Sequence, residues 1–244
     1  HEARTLFHTM QLSRTSTEPL LSFGRSFPRA FVQQHTQVLI DRRFLMSGNN
    51  MKRDLLSVLD IEDDMDEILD LASKLKSGRA GSSDNLRGKT LAMIFEKPST
   101  RTRVSFEVGM AQLGGHALYL SPKDTQMGRG ETVSDTAKVL SGYVDGIMYR
   151  AFSHETMVEL AQSASVSVIN GLDDLEHPCQ IGADLLTVRE QKGGFRGVKM
   201  AYLGDGNNVC NSLLLGAAVV GMDFVAACPK EHFPDAAIVK KALE

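Results

Sequence analysis

Between residues 90 and 227 the sequence alternates between short apolar stretches and longer stretches with helical spacing, and this alternation constrains the fold more than any other feature. Short apolar stretches are typical of buried strands, and apolar residues three to four positions apart are typical of helices. A chain in which strands and helices take strict turns folds as a parallel sheet covered by helices on both faces. We therefore predict an α/β protein built on doubly wound parallel sheets.

The same spacing predicts where each element lies. Apolar residues recur at helical spacing from Ile61 to Leu75, which predicts a first helix with Asp60 as its N-cap and Gly78 just past its end. Strands are predicted at residues 90–95, 116–120, 145–150, 166–169, 198–203 and 224–227. The helices between these strands are predicted at residues 101–113, 131–140, 154–164, 180–190 and 208–220.

A polar, glycine-rich stretch at residues 191–197 separates the first four predicted strands from a new strand–helix–strand run. Such stretches are typical of linkers between domains. We predict one domain at residues 51–190 and the beginning of a second at residues 191–244.

Residues 1–50 differ in composition from the rest of the chain, with six Arg, no Lys and three acidic residues. An Arg-rich, Ser-rich and acid-poor segment fits an organelle transit peptide, and it also fits a leader without a role. The first interpretation predicts an organelle matrix (mitochondrion or plastid), and the second predicts the cytoplasm.

Charge, hydropathy and cysteine content exclude several classes of function. The formal net charge is −3, and without residues 1–50 it is −6, which argues against a nucleic-acid surface. No apolar run approaches the roughly 18 to 20 residues of a membrane-spanning helix. The three cysteines, Cys179, Cys210 and Cys228, lack the spacing of a zinc site, and their odd number argues against a disulfide framework.

The stretch Glu96–Arg103 follows the first predicted strand and opens a helix. Its hydroxyls, its arginines and the free N–H groups of a helix start suit an anion such as phosphate. A simpler interpretation is also open, in which Ser99 or Thr100 only caps the helix and the arginines face solvent.

Two further polar clusters follow predicted strands. Arg150 ends one strand, and Asn170–Leu172 leads from the next strand to His177 and Gln180 at a helix start. Each residue alone is more often a surface charge or a loop residue. Because ligands of parallel sheets bind at the carboxyl edge, the shared edge favours a common site.

Four stretches, at residues 95–107, 124–136, 170–180 and 204–212, resemble the transcarbamylase family, and within it the ornithine carbamoyltransferases. The likeness runs in unbroken order from about Met51 to the last residue. Four motifs in the right order are far more specific than any one of them. The resemblance implies that the second domain is incomplete, because the family's later motifs would lie beyond Glu244.

The resemblance also implies roles for individual residues. The residues implied to hold the phosphate of carbamoyl phosphate are Ser99, Thr100, Arg101 and Thr102. Arg150 would bridge the phosphate and the carbonyl oxygen, where His177 and Thr102 would join it. Gln180 would hold the carbamoyl amide. Catalysis would then rest on Arg150, His177 and Thr102.

The remaining implied roles concern the loop, the acceptor and the assembly. The loop with Gln126 would reach a neighbouring subunit's site in a homotrimer, and Asn208 and Leu172 would contact ornithine. Arg103 would be structural, and Cys179 a packing residue of its helix. No metal and no organic cofactor is implied.

The expected reaction is carbamoyl transfer from carbamoyl phosphate to the δ-amine of L-ornithine, giving L-citrulline and phosphate in arginine biosynthesis or the urea cycle. Two alternatives stay open. One is another transcarbamylase, acting on aspartate, putrescine or an acylated ornithine. The other is an incomplete fragment that binds carbamoyl phosphate without turning it over.

Overall fold

The computed structural model describes residues 52–78, 84–121, 123 and 125–244. The prediction for residues 1–50 lies outside this part of the chain. The helices are α1 Met65–Lys76, α2 Thr100–Gln112, α3 Val133–Ser141, α4 His154–Ser163, α5 Pro178–Lys192, α6 Asn208–Val219 and α7 Ala236–Leu243. The strands are β1 Thr90–Phe95, β2 His116–Leu120, β3 Gly146–Arg150, β4 Ser167–Leu172, β5 Lys199–Leu203 and β6 Asp223–Ala227.

The strands form two parallel sheets, which confirms the predicted α/β class. The first sheet has the order β2-β1-β3-β4, and the second consists of β5 and β6. Every pairing in the two sheets is parallel. In the first sheet Phe95 pairs with Arg150, and Arg150 pairs with Leu172 after a register shift. The carboxyl ends of β1, β3 and β4 therefore lie side by side.

Helices cover both faces of the first sheet. Successive side chains of a strand point to opposite faces, so alternate residues of β1 belong to different cores. Leu91, Met93 and Phe95 pack in a core with α1, α2 and α5. Ala92 and Ile94 pack in a second core with α3 and α4. The doubly wound arrangement follows from this alternation.

The first core continues without interruption into the second sheet through α5 and α6. Ile181 and Leu185 on α5 share this core with Leu215 on α6 and Phe224 on β6. Gly216 allows the two helices to approach, because a Cβ at that position would overlap the Ile181 side chain. Helix α5 ends with Gly193 in the left-handed region at φ 77°, so the predicted domain boundary near residue 190 falls in its last turn.

The predicted start of the first helix was wrong. Asp60 does not cap a helix that begins there; α1 begins at Met65, with Asp64 in the N-cap position. Asp60 lies instead in a short 3-10 helix, Val58–Ile61, where its carboxylate accepts the N–H of Ser57 in a capping box. The sequence carried a capping signal, but the signal belongs to the preceding turn.

The predicted end of β4 was also too early. The strand continues past Ile169 through Leu172, and Leu172 adopts φ 154°. Gly171 permits this extension, because a Cβ there would overlap the Met148 sulfur on the neighbouring strand. In the sequence Gly171 indicates a loop, but in the structure it lies where β4 closely approaches β3.

Within the part of the chain that the structure describes, no helix is long and apolar enough to cross a bilayer.

Candidate active site

Ser99, Thr102 and Arg150 meet at the carboxyl edge of the first sheet. Ser99 is the N-cap of α2, and its hydroxyl accepts the Thr102 N–H at 3.3 Å. The Ser99 and Thr102 hydroxyl oxygens are 3.0 Å apart, and Arg150 Nη1 lies 3.5 Å from Thr102 Oγ1. Ser99 therefore caps α2 and also lies in a cluster with Arg150. The sequence had offered helix capping and an anion site as alternative interpretations of this stretch.

Arg150 has donor capacity that other described residues leave unused. Its guanidinium is half-buried and also approaches the Gly171 carbonyl at 3.5 Å, while its Nε is buried without a hydrogen-bond partner among the described residues. Burial lowers the pKa of Arg150, yet a guanidinium stays charged in proteins. A half-buried cation with unused donors suits an anionic ligand.

Thr100 and Arg101 lie in the first turn of α2 with exposed side chains. Arg103, one turn further on, behaves differently. Its Nε donates to Glu107 at 2.9 Å, and its guanidinium lies 3.9 Å from the centre of the Tyr119 ring. The structural role expected for Arg103 agrees with these contacts, and Arg101 presents its charge to solvent at the helix N-terminus.

His177 is the N-cap residue of α5 and lies close to Arg150. Burial, together with the positive charge of Arg150, lowers the pKa of His177 to about 4. Its Nδ1 is buried and has no hydrogen-bond partner among the described residues. The imidazole is thus neutral at physiological pH, with one nitrogen available to donate and the other to accept.

Gln180 and Gln126 do not join this cluster. Gln180 is exposed, and its Nε2 donates to Asp184 at 3.0 Å on the same helix. Gln126 is exposed at the start of a short 3-10 helix, Met127–Arg129. Neither amide has a hydrogen bond to Thr102 or Arg150 within the described ranges.

Asn208 and Leu172 approach each other through Asp173. Asn208 opens α6, and its Nδ2 donates to the Asp173 carbonyl at 2.5 Å. The Leu172 N–H donates to Asn170 Oδ1 at 2.9 Å. The two residues that the resemblance links to ornithine therefore lie on opposite sides of the junction between the sheets.

Asp173 is a buried hub that sequence reasoning missed. Its carboxylate accepts four donors: His154 Nδ1 at 2.7 Å, Asn170 Nδ2 at 2.9 Å, the Leu175 N–H at 2.8 Å and the Glu176 N–H at 2.7 Å. The hydrogen bond to Asp173 raises the pKa of His154. The only signal in the sequence was an acidic residue directly after a strand. This network orders the loop that carries His177.

Cys179 is a packing residue, as expected. Its thiol donates to the Asn170 carbonyl at 3.3 Å, and burial raises its pKa to about 12. Such a thiol is a poor nucleophile. Among the residues that the structure describes, no group of three or more His, Cys, Asp or Glu side chains is arranged to hold a metal ion.

An open cleft of about 740 Å³ lies beside this region, between the loops that follow the strands of both sheets. Its lining residues are Ser153, His154, Glu155, Asp174, Leu175, Gly206, Asn211, Phe233 and Asp235. A cleft at the carboxyl edges of two parallel sheets is where small ligands bind in such folds.

Comparison with known families agrees with this geometry. A family model described as the carbamoyl-phosphate-binding domain of aspartate/ornithine carbamoyltransferase matches residues 53–190, more than half of the chain. The chain belongs to this family. A second model, described as the aspartate/ornithine-binding domain, matches residues 196–244.

Individual members of the family are similar at high identity. A protein from Thermoplasma volcanium named catabolic ornithine carbamoyltransferase is 58% identical over 193 residues, which cover 79% of this chain and 63% of the relative. The solved ornithine carbamoyltransferase of Pyrococcus furiosus is 52% identical with a TM-score of 0.75, covering 78% of this chain and 62% of that one. An enzyme from Campylobacter jejuni named anabolic is 41% identical with a TM-score of 0.71, covering 78% and 63%. The chain thus spans less than two thirds of the length of these three proteins.

Proposed function

We propose that this chain forms the carbamoyl-phosphate-binding part, and the beginning of the amino-acid-binding part, of an enzyme that carbamoylates the δ-amine of L-ornithine. The observation that carries the proposal is the convergence of Ser99, Thr102 and Arg150 at the N-terminus of α2. We assign the first part to residues 51–190 and the second to residues 191–244.

The first step is capture of the phosphate. The free N–H groups at the start of α2 and the hydroxyls of Ser99, Thr100 and Thr102 bind its oxygens, and Arg101 adds a charge at the same helix end. Because this positive potential exists before the ligand arrives, it also stabilises the charge that phosphate gains as it leaves.

The second step is attack of the ornithine Nδ lone pair on the carbonyl carbon. A C–N bond forms, the C–O bond to phosphate breaks with its electron pair going to phosphate, and the attacking nitrogen gives up a proton that ends on the departing phosphate. Negative charge builds on the carbonyl oxygen, where Arg150, Thr102 and His177 donate. One such donor typically contributes on the order of 3 kcal/mol to stabilising the transition state.

A neutral His177 suits this role. With its pKa lowered to about 4, the ring can donate one hydrogen bond to the carbonyl oxygen without placing a second positive charge beside Arg150. Gln180 lies in the first turn of α5, and we assign it to the carbamoyl amide. Its present partner, Asp184, would release it on binding.

The acceptor side rests on fewer residues. We assign Asn208 and Leu172 to the amino-acid portion of ornithine, since both lie at the junction of the two sheets. Aspartate and putrescine are the competing acceptors. The relatives named ornithine carbamoyltransferase favour ornithine, and they include both a catabolic and an anabolic enzyme, so the metabolic direction stays open.

We further propose a homotrimer in which the exposed Gln126 loop completes a neighbouring subunit's site. The exposure of Gln126 and its separation from the Arg150 cluster support a role outside its own subunit. A chain of this length is then expected to bind carbamoyl phosphate. Turnover depends on whether the residues present also suffice to hold the acceptor.

Isothermal titration of the full chain with carbamoyl phosphate tests the proposal. Arg101→Ala is expected to weaken binding by about tenfold or more, because it removes a charge at the helix N-terminus. Arg103→Ala is the matched control: it removes one charge from the same helix, but that charge pairs with Glu107. Equal effects of the two variants, or no binding by the folded wild-type chain, would refute the site.

Adding L-ornithine, L-aspartate or putrescine to the loaded protein then separates the acceptors. Citrulline formed with ornithine alone identifies the reaction. Binding of carbamoyl phosphate with no product from any acceptor identifies a binding fragment.

A further inference from the structure

Three polar side chains on one ridge of α6 hydrogen-bond the loop between β4 and α5. The bonds run from Asn208 Nδ2 to the Asp173 carbonyl at 2.5 Å, from Asn211 Nδ2 to the Leu175 carbonyl at 3.0 Å, and from the His177 N–H to Ser212 Oγ at 2.8 Å. Positions i, i+3 and i+4 lie on one face of a helix, so α6 presents these groups together. We call these three residues the α6 ridge.

Two of the three ridge residues are buried in an otherwise apolar helix. Asn211 is 3% exposed and Ser212 is fully buried, while Cys210, Leu214 and Leu215 pack around them in the core. Burying a polar side chain costs free energy unless it is hydrogen-bonded. Each ridge residue recovers that cost through the loop, so the ridge and the loop specify each other's positions.

The backbone of His177 depends on this contact. Pro178 follows it and restricts its conformation, and the His177 carbonyl accepts the Gln180 N–H at 3.0 Å within α5. On the other side, the His177 N–H has Ser212 Oγ as its partner. The ring itself is not tied by Nδ1 to any described residue. Its location therefore follows from where the backbone is held.

We propose that Ser212, supported by Asn211, is a positioning residue that sets His177 in place beside Arg150 from the second sheet's side of the molecule. The inference rests on the proposed function, because the position of His177 matters most if its ring donates to the carbamoyl oxygen. Ser212 is fully buried, so it acts through His177 and not directly on a substrate. The helix that begins the acceptor side thereby controls a group on the carbamoyl phosphate side.

The test is an NMR titration of the His177 ring in the full chain between pH 7.5 and 3.5, with the resonance assigned by a His177→Gln variant. In Ser212→Ala the His177 N–H loses its acceptor, the ring gains water, and the pKa of His177 is expected to rise from about 4 towards the ordinary value. The same variant is expected to bind carbamoyl phosphate about tenfold more weakly, because a displaced His177 loses its hydrogen bond to the carbamoyl oxygen.

Ser141→Ala is the matched control. Ser141 Oγ also accepts a backbone N–H from a distant loop, that of Ser165 at 3.0 Å, but at the end of α3. Its loss is expected to leave both the His177 titration and carbamoyl phosphate binding unchanged. If Ser212→Ala does not fold, Ser212→Cys keeps the shape with a weaker acceptor and should give a smaller shift in the same direction.

The outcomes separate the two proposals. A folded Ser212→Ala whose His177 titrates as in the wild type overturns the positioning role, whatever the wild-type chain binds. A shifted His177 titration in a chain that never binds carbamoyl phosphate supports the positioning role and overturns the proposed function.

Discussion

The guanidinium of Arg150, at the end of β3, lies 3.5 Å from the Thr102 hydroxyl in the first turn of α2. These two residues are 48 positions apart in sequence. The contact joins a strand end to a helix N-terminus, so a fixed cation and free backbone N–H groups face the same volume. That arrangement is the physical basis of the proposed phosphate site.

Replacing Arg150 with Met should weaken carbamoyl phosphate binding by about 1.5 to 3 kcal/mol, because hydrogen bonds from a charged donor are lost. Arg189→Met is the control, since Arg189 pairs with Asp70 on the outer side of α1 at 2.9 Å. Titration calorimetry on both variants checks the difference. Similar affinities for the two variants would contradict a ligand role for Arg150.

His177 should make stability depend on pH in acid. Its folded-state pKa is lowered to about 4, below the ordinary value of 6.5, so the unfolded chain binds the proton more readily. Its contribution is present above pH 6.5 and is lost as pH falls towards 4, by at most about 3 kcal/mol. Urea unfolding at several pH values should show a shallower acid decline in His177→Asn, and parallel curves would argue against a buried neutral ring.

Replacing Asp173 should lower the free energy of unfolding substantially, whereas replacing its neighbour Asp174 should lower it only slightly. Asp173→Ala leaves His154 and three other donors without their acceptor, and we expect a loss of about 2 to 4 kcal/mol in the free energy of unfolding. Asp174 is exposed and accepts only the His154 N–H among the described residues. Asp174→Ala should cost about 1 kcal/mol or less. Equilibrium denaturation of both variants gives the comparison, and equal losses would rule out the hub.

His154 should affect the pH dependence of stability in the opposite direction to His177. Its pKa is raised, first by the hydrogen bond to Asp173, so its contribution to stability is complete below pH 6.5 and declines as pH rises through the folded-state value. The difference in unfolding free energy between wild type and His154→Gln should therefore shrink above neutral pH. A difference that grows with pH would mean that the pair is not charged.

Two helical glycines should respond oppositely to alanine. At Gly182 on α5, the Cβ that alanine adds would have nothing within 4 Å, so Gly182→Ala should stabilise the protein by about 0.5 to 1 kcal/mol. At Gly216 the added Cβ would overlap Ile181, and a loss of about 1 to 3 kcal/mol is expected. Thermal unfolding midpoints decide the matter, and a stabilised Gly216→Ala would mean that α5 and α6 do not pack closely.

Much of the site could be predicted because it lies where strands end. Ser99, Thr102 and Arg150 each follow or end an apolar stretch, and parallel strands bring such positions to one edge. The hub at Asp173 could not be predicted in this way, since its partner His154 comes from another element and looks like an ordinary helix start. The roles of Asn211 and Ser212 could not be predicted either, because the hydrogen-bond partner of a polar helix residue is known only once the neighbouring loop is placed.

The sequence by itself determined the order of strands and helices, since apolar spacing is a local property that each segment carries within it. It also carried the hydroxyls, arginines and family motifs of the carbamoyl phosphate site. Only the tertiary structure decided that β4 extends through Leu172 and that α6 holds the His177 loop. Those outcomes depend on contacts between segments far apart in the chain, where burial and hydrogen bonding outweigh local preference.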